Sequence, residues 1–111
     1  MSFAASQVAN HVTVVTVEGQ LIVANRQDLK QVVQDALEAG ARKFVFDFTR
    51  TAYIDSSGLG ALVSISKRVR EAGGDLRLAG LNEDLRSLFE LTKLDTLFAI
   101  SDTPAEALAG Y

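Results

Sequence analysis

A chain of 111 residues with 48% hydrophobic and 23% charged side chains has room for one compact core and enough apolar surface to offset the entropy of ordering. That excludes a second core and disorder over most of the length. The net charge of -3 argues against nucleic acid as a partner, because phosphate backbones need clustered Lys/Arg surfaces. With no cysteine in the chain, disulfides and thiolate metal sites are ruled out.

The N-terminal stretch Met1–Gln7 lacks the charged start and apolar run of a signal peptide. No uncharged apolar run reaches the roughly 18 to 20 residues that span a bilayer. The expectation is a cytoplasmic protein with no membrane partner. Phe3 to Val8 is a weakly marked first strand, with Asn10-His11 turning the chain into Val12–Val17. That β-branched run reads as a strand ending at Glu18-Gly19. Leu29, Val32, Val33, Ala36 and Leu37 then follow the spacing of one buried helical stripe. Asn25 is placed to cap this helix, with Asp28 in its first turn, and Gly40 to end it in a left-handed turn.

Lys43–Phe48 alternates aromatic residues and forms a strand buried on at least one face. A second helix is expected from about Ser57 to Ala72, closed by Gly73-Gly74. Its end carries the densest basic stretch, Lys67, Arg68 and Arg70, which reads as a solvated face complementing the helix dipole. Leu76 and Leu78 alternate with Asp75 and Arg77 in a further strand. Asn82 caps a third helix with Leu85, Leu88 and Phe89 inward. Leu97–Ile100 is a last strand, and Thr103-Pro104-Ala105-Glu106 opens a terminal helix with a cap, a first-turn proline and a capping-box acid. The alternation predicts one α/β domain over residues 1–111: a mixed five-stranded sheet with about four helices.

The residues speak against catalysis. The one histidine, His11, is far in the chain from Ser56, and Ser56 lacks the Gly-x-Ser-x-Gly frame of a nucleophile elbow. Gly58-Leu59-Gly60 starts like a dinucleotide loop, but Val63 stands where the third glycine belongs. The scattered carboxylates offer no metal set. No cofactor and no metal are therefore expected.

One segment stands apart: Tyr53-Ile54-Asp55-Ser56-Ser57-Gly58-Leu59-Gly60. Asp, Ser and Gly are ordinary in a capped loop. Two adjacent hydroxyls at a helix start, however, sit where free N–H groups and the dipole favour negative charge. Gly58 and Gly60 are expected to leave the first turn open to another protein.

This segment, with Asp47 ending the strand before it, resembles the STAS domain, specifically the bacterial anti-sigma-factor antagonist family. Gly19 ahead of a long helix with Leu29, and Phe89–Leu94 followed by Phe98, are similar to flanking parts of that family. The resemblance implies that Ser56 is phosphorylated, with Asp55, Ser57, Gly58 and Gly60 supporting it. It implies a partner switch. The unmodified chain binds an anti-sigma factor that is also a serine kinase of the histidine-kinase-like ATPase type. Phosphorylation releases the chain, and a metal-dependent serine phosphatase resets it. ATP and Mg²⁺ would belong to the kinase.

Where many members of that family carry Gly-Glu-Leu-Asp, this chain has Gly19-Gln20-Leu21-Ile22, followed by Val23, and Lys93 stands where a glycine usually ends the third helix. Ile22 and Val23 either plug the end of the sheet or form an apolar contact beside Ser56. In the second case they bind the partner together with Asn25 and Leu59. Three other functions remain open at this point: a ligand- or nucleotide-sensing module of the same fold, a partner-switch protein controlling a non-sigma output, and a non-switching subunit of a larger assembly.

Overall fold

A computed structural model describes residues 3–111. Met1 and Ser2, the first residues of the stretch weighed as a signal peptide, lie outside the described residues. Strands β1 (Phe3–Gln7), β2 (Val12–Val17), β4 (Lys43–Asp47), β6 (Asp75–Ala79) and β7 (Ala99–Ser101) form a five-stranded sheet in the order β1-β2-β4-β6-β7. β1 is antiparallel to β2, and every other pairing in the sheet is parallel. The expected mixed sheet is present. Its parallel part follows from the helices that return the chain across one face.

Those helices are α1 (Arg26–Glu38), α2 (Ser56–Glu71) and α3 (Glu83–Leu91). They cover the face bearing Val15 and Val17, Phe44 and Phe46, and Leu76 and Leu78, alternate residues of three neighbouring strands. Leu29, Val33 and Leu37 are the buried stripe of α1, as the spacing predicts. Phe44, Phe46 and Phe48 are completely buried, and each such side chain contributes about 1.5–3 kcal/mol of transfer free energy. On the opposite face, α4 (Pro104–Ala109) packs Ala107 against Val12, Val45 and Ala79. Behind it the Tyr111 hydroxyl donates to the Phe44 carbonyl at 2.9 Å, and the Arg77 guanidinium lies 4.0 Å from the Tyr111 ring centre. Burial, with Asp75 adding to it, pushes the Tyr111 phenol up to about 12, so it remains a neutral donor.

Several boundaries differ from the sequence expectation for local reasons. Glu18-Gly19 is not the end of the strand path. Gly19 turns the chain with a φ of 80°, and β3 (Gly19–Leu21) then pairs in parallel with β5 (Thr51–Ile54) as a separate two-stranded ribbon. Leu97 and Phe98 precede β7, because a 3-10 turn at Leu94–Thr96 swings Phe98 onto Phe89, ring centres 6.0 Å apart. Lys93 holds a left-handed backbone with a φ of 63°. The turn is thus made despite the steric penalty on a side chain there.

Candidate functional site

The unexpected ribbon builds the site. β3 is too short to announce itself by periodicity, yet its parallel register sets Leu21 opposite Ile54. The chain leaves both strands at the same end, so Ile22 and Val23 lie beside Asp55 and Ser56. Two bonds anchor the ribbon at its other end. The Thr51 hydroxyl donates to the Val17 carbonyl at 2.6 Å, and the Gly19 N–H to the Arg50 carbonyl at 3.0 Å.

Asp55 joins the two exits. Its extended backbone places it as the N-cap of α2, which begins at Ser56, one residue before the expected start. One carboxylate oxygen accepts from the Gly58 N–H at 2.7 Å, the other from the Val23 N–H at 3.1 Å, and its own N–H donates to the Leu21 carbonyl at 3.1 Å. A single acid thus caps α2 and holds the neighbouring loop against it. Removing it, as Asp55→Ala, is expected to cost about 1 kcal/mol, the usual worth of a helix cap. Thermal unfolding would report this as a melting temperature lower by roughly 4–8 °C.

Asn25 acts differently from the sequence expectation. It occupies the N-cap position of α1 but makes no side-chain cap bond there. Its amide instead accepts from the Ile22 N–H at 2.9 Å and donates to the Gln20 carbonyl at 2.8 Å. The side chain turns back onto these two groups, and bonding them fixes the turn that presents Ile22 and Val23.

Ser56 is the first residue of α2 and is exposed, while Ser57 is half-buried. Asp55 occupies the Gly58 N–H, leaving the N–H groups of the first two helical residues and the positive end of the dipole beside the Ser56 hydroxyl. A phosphate there meets donors and a favourable field. The two glycines have unlike roles. Gly60 opens to space, as expected, since a Cβ there would meet nothing within 4 Å. Gly58 is buried, and a Cβ on it would stand 2.4 Å from the Leu21 carbonyl oxygen. It serves the packing of α2 on β3, not the approach of a partner.

The candidate contact residues separate likewise. Val23 is 59% exposed and Ile22 is half-buried. Leu59 is only 8% exposed and belongs to the core, so it reaches a partner only as the floor of a depression. That depression, about 440 Å³, is walled by Tyr53, Ser56, Asp84 and Leu88. Tyr53, 54% exposed, and the α3 residues Asp84 and Leu88 were not among the candidates. An aromatic residue three positions before Ser56 was the available signal for the first; nothing local marks the other two.

His11 precedes the N-terminal end of β2, whereas Ser56 follows the C-terminal end of β5. Among the described residues no three of His, Cys, Asp or Glu gather as metal ligands, and no helix is long and apolar enough to cross a membrane.

The family model for the STAS domain matches residues 4–107. The chain belongs to the STAS domain family. It is 28% identical over 88 residues to the anti-sigma-B factor antagonist of Staphylococcus aureus, an alignment covering 79% of this chain and 82% of that one. Among solved structures, the protein TM1081 of Thermotoga maritima superposes with a TM-score of 0.88 at 30% identity, covering 97% of this chain and 92% of its own. The Bacillus protein SpoIIAA in its phosphorylated form shares the fold, with a TM-score of 0.73 at 21% identity and 96% of each chain covered. The curated relatives of this STAS chain include anti-sigma factor antagonists, which are regulatory proteins.

Proposed function

We propose that this chain is an anti-sigma-factor antagonist that acts by switching partners in the cytoplasm. Unmodified, it binds an anti-sigma factor that is also a serine kinase of the histidine-kinase-like ATPase type. Phosphorylation of Ser56 by that kinase ends the complex, and a metal-dependent serine phosphatase restores it. The observation that carries this reading is the exposed Ser56 on the first turn of α2, beside free N–H groups, in one depression with the exposed Tyr53, and next to Asp55, which holds the Val23 N–H.

The physics of the switch follows from that placement. The phosphate adds about -1.5 to -2 charges at a helix end that already favours an anion, so the fold of the antagonist has little reason to change. The loss of affinity then arises at the interface, where a partner covering the site must desolvate the phosphate against the carboxylates of Asp55 and Asp84. SpoIIAA structures in the unphosphorylated and the phosphorylated form both share the fold of this chain, with TM-scores of 0.74 and 0.73.

The test combines phosphopeptide mapping with binding to the cognate kinase. Ser56→Ala is expected to accept no phosphate yet retain the complex, Ser56→Asp to weaken it, and Ser57→Ala to remain a substrate. Backbone chemical shifts of the phosphorylated chain should change around residues 22–24 and 53–60 only. A phosphate mapped to Ser57 alone would refute the assignment, and shifts spread across the sheet would refute the mechanism.

A further inference from the structure

Strand β1 ends one side of the five-stranded sheet, with β2 as its one neighbour there. The Val8 N–H donates to the Val12 carbonyl at 2.8 Å, which continues the β1–β2 register beyond Gln7. Antiparallel partners alternate between bonded and unbonded pairs, so Ala4 and Ser6 turn their backbone groups toward β2. The N–H and C=O groups of Phe3, Ala5 and Gln7 then point away from the sheet. Among the described residues these outward groups have no backbone partner. Such a row is a template for another strand.

Sheet edges are ordinarily blunted by a charge, a proline, a bulge or a short length. The opposite edge, β7, is three residues long. β1 uses none of these devices. It runs through Phe3-Ala4-Ala5-Ser6-Gln7 without charge or proline, exposed from Ala4 onward, and pairs with β2 without a shift of register. Its flank toward α1 is open as well. A space of about 450 Å³ lies there, bounded by Ala5, Gln7, Thr13, Ala36, Ala39 and Ala41.

The strand is complementary to a second copy of itself. Antiparallel pairing about a two-fold axis at Ala5 sets Ala5 opposite its own counterpart, Phe3 opposite Gln7 and Ala4 opposite Ser6. Phe3, Ala5 and Gln7 become the bonded positions, so the outward groups of all three gain partners. Moving the axis by one residue leaves some of them unpaired, and moving it by half a residue opposes them to groups already turned toward β2. The side chains that meet are small or neutral, and no charge faces its own kind.

We propose that β1 pairs with β1 of a second copy of this chain, joining the two sheets into one across a two-fold axis at Ala5. The contact is isologous. Five residues a side lie at the small end of interfaces, so the dimer is weak, with a Kd on the order of 100 µM. It depends neither on Ser56 phosphorylation nor on another protein.

The experiment follows the full chain by sedimentation equilibrium and NMR from roughly 10 µM to 1 mM, a span that brackets such a constant. Dimer is expected to grow in over this range. Amide shifts should depend on concentration at Phe3, Ala5 and Gln7, and a mixed-label sample should show an intermolecular contact between the Hα atoms of Ala4 and Ser6. Ala5→Lys places two ammonium groups face to face on the axis and should weaken the dimer about fivefold or more. Ala5→Glu should do the same, and an equimolar mixture of the two variants should dimerise at least as well as the parent chain. Both variants should keep the parent melting temperature, since Ala5 is exposed. A parent chain that stays monomeric throughout would overturn the proposal. So would a dimer that Ala5→Lys leaves unchanged, or a mixture of the folded variants that fails to restore it.

Discussion

Gly58→Ala is expected to destabilise the domain by about 2–3 kcal/mol, at the upper end of what overpacking usually costs. The new methyl group would stand 2.4 Å from the Leu21 carbonyl oxygen and 2.9 Å from the Ile54 side chain. The first of these is backbone in a paired strand and has no rotamer to give way. Alanine also favours a helix interior over glycine by up to about 1 kcal/mol, so the clash must outweigh that gain for the sign to hold. Relief would come only by moving the first turn of α2 away from β3, and that would pull Asp55 off the Val23 N–H. The variant should therefore lose melting temperature, by roughly 10 °C or more, and its Val23 amide should exchange faster with solvent. Gly60→Ala is the control on the same turn, since its Cβ meets nothing within 4 Å; it should be as stable as the parent chain or slightly more so. Equal melting temperatures for the Gly58 variant and the parent would show that the close approach is not rigid.

Val23→Asp is expected to weaken the complex with the anti-sigma factor by about 1–3 kcal/mol, the size of a buried interface anchor, which is roughly 5- to 150-fold in Kd. Its melting temperature should hardly move, because the side chain is 59% exposed in the free chain. Ile22→Asp should behave otherwise. Ile22 is half-buried, so a carboxylate there loses apolar contact and is partly desolvated, and stability falls along with affinity. The two variants therefore separate the plug from the contact: Ile22 does some of each, Val23 only the second. Unchanged affinity of Val23→Asp at an unchanged melting temperature would remove Val23 from the partner surface.

Much of this architecture was legible in the chain. The stripe from Leu29 to Leu37, the aromatic alternation of Phe44 and Phe46, and the caps at Asn82 and Thr103 are local signals, and each appears in place, with Asn82 and Thr103 accepting from Leu85 and Glu106. The signals that misled were also local. Asn25 carries cap chemistry at the right position, but the Ile22 N–H and Gln20 carbonyl compete for the same amide and win it. Gly58 and Gly60 look alike in sequence, and only their surroundings distinguish a packing glycine from an open one.

By itself the sequence determined that the chain makes one α/β domain, that it carries no thiol chemistry, and that a helix starting beside Asp55 presents two hydroxyls. Those properties depend on composition and on contacts within a few residues. Only the tertiary structure decided that Ser56 and Val23 share a surface, because the parallel ribbon of β3 and β5 joins segments more than thirty residues apart, through Asp55 and the Val23 N–H. It also decided that Leu59 lies in the core and that the Ser66 hydroxyl has no hydrogen-bond partner among the described residues, since burial and hydrogen-bond satisfaction are properties of the packed chain and have no local signature.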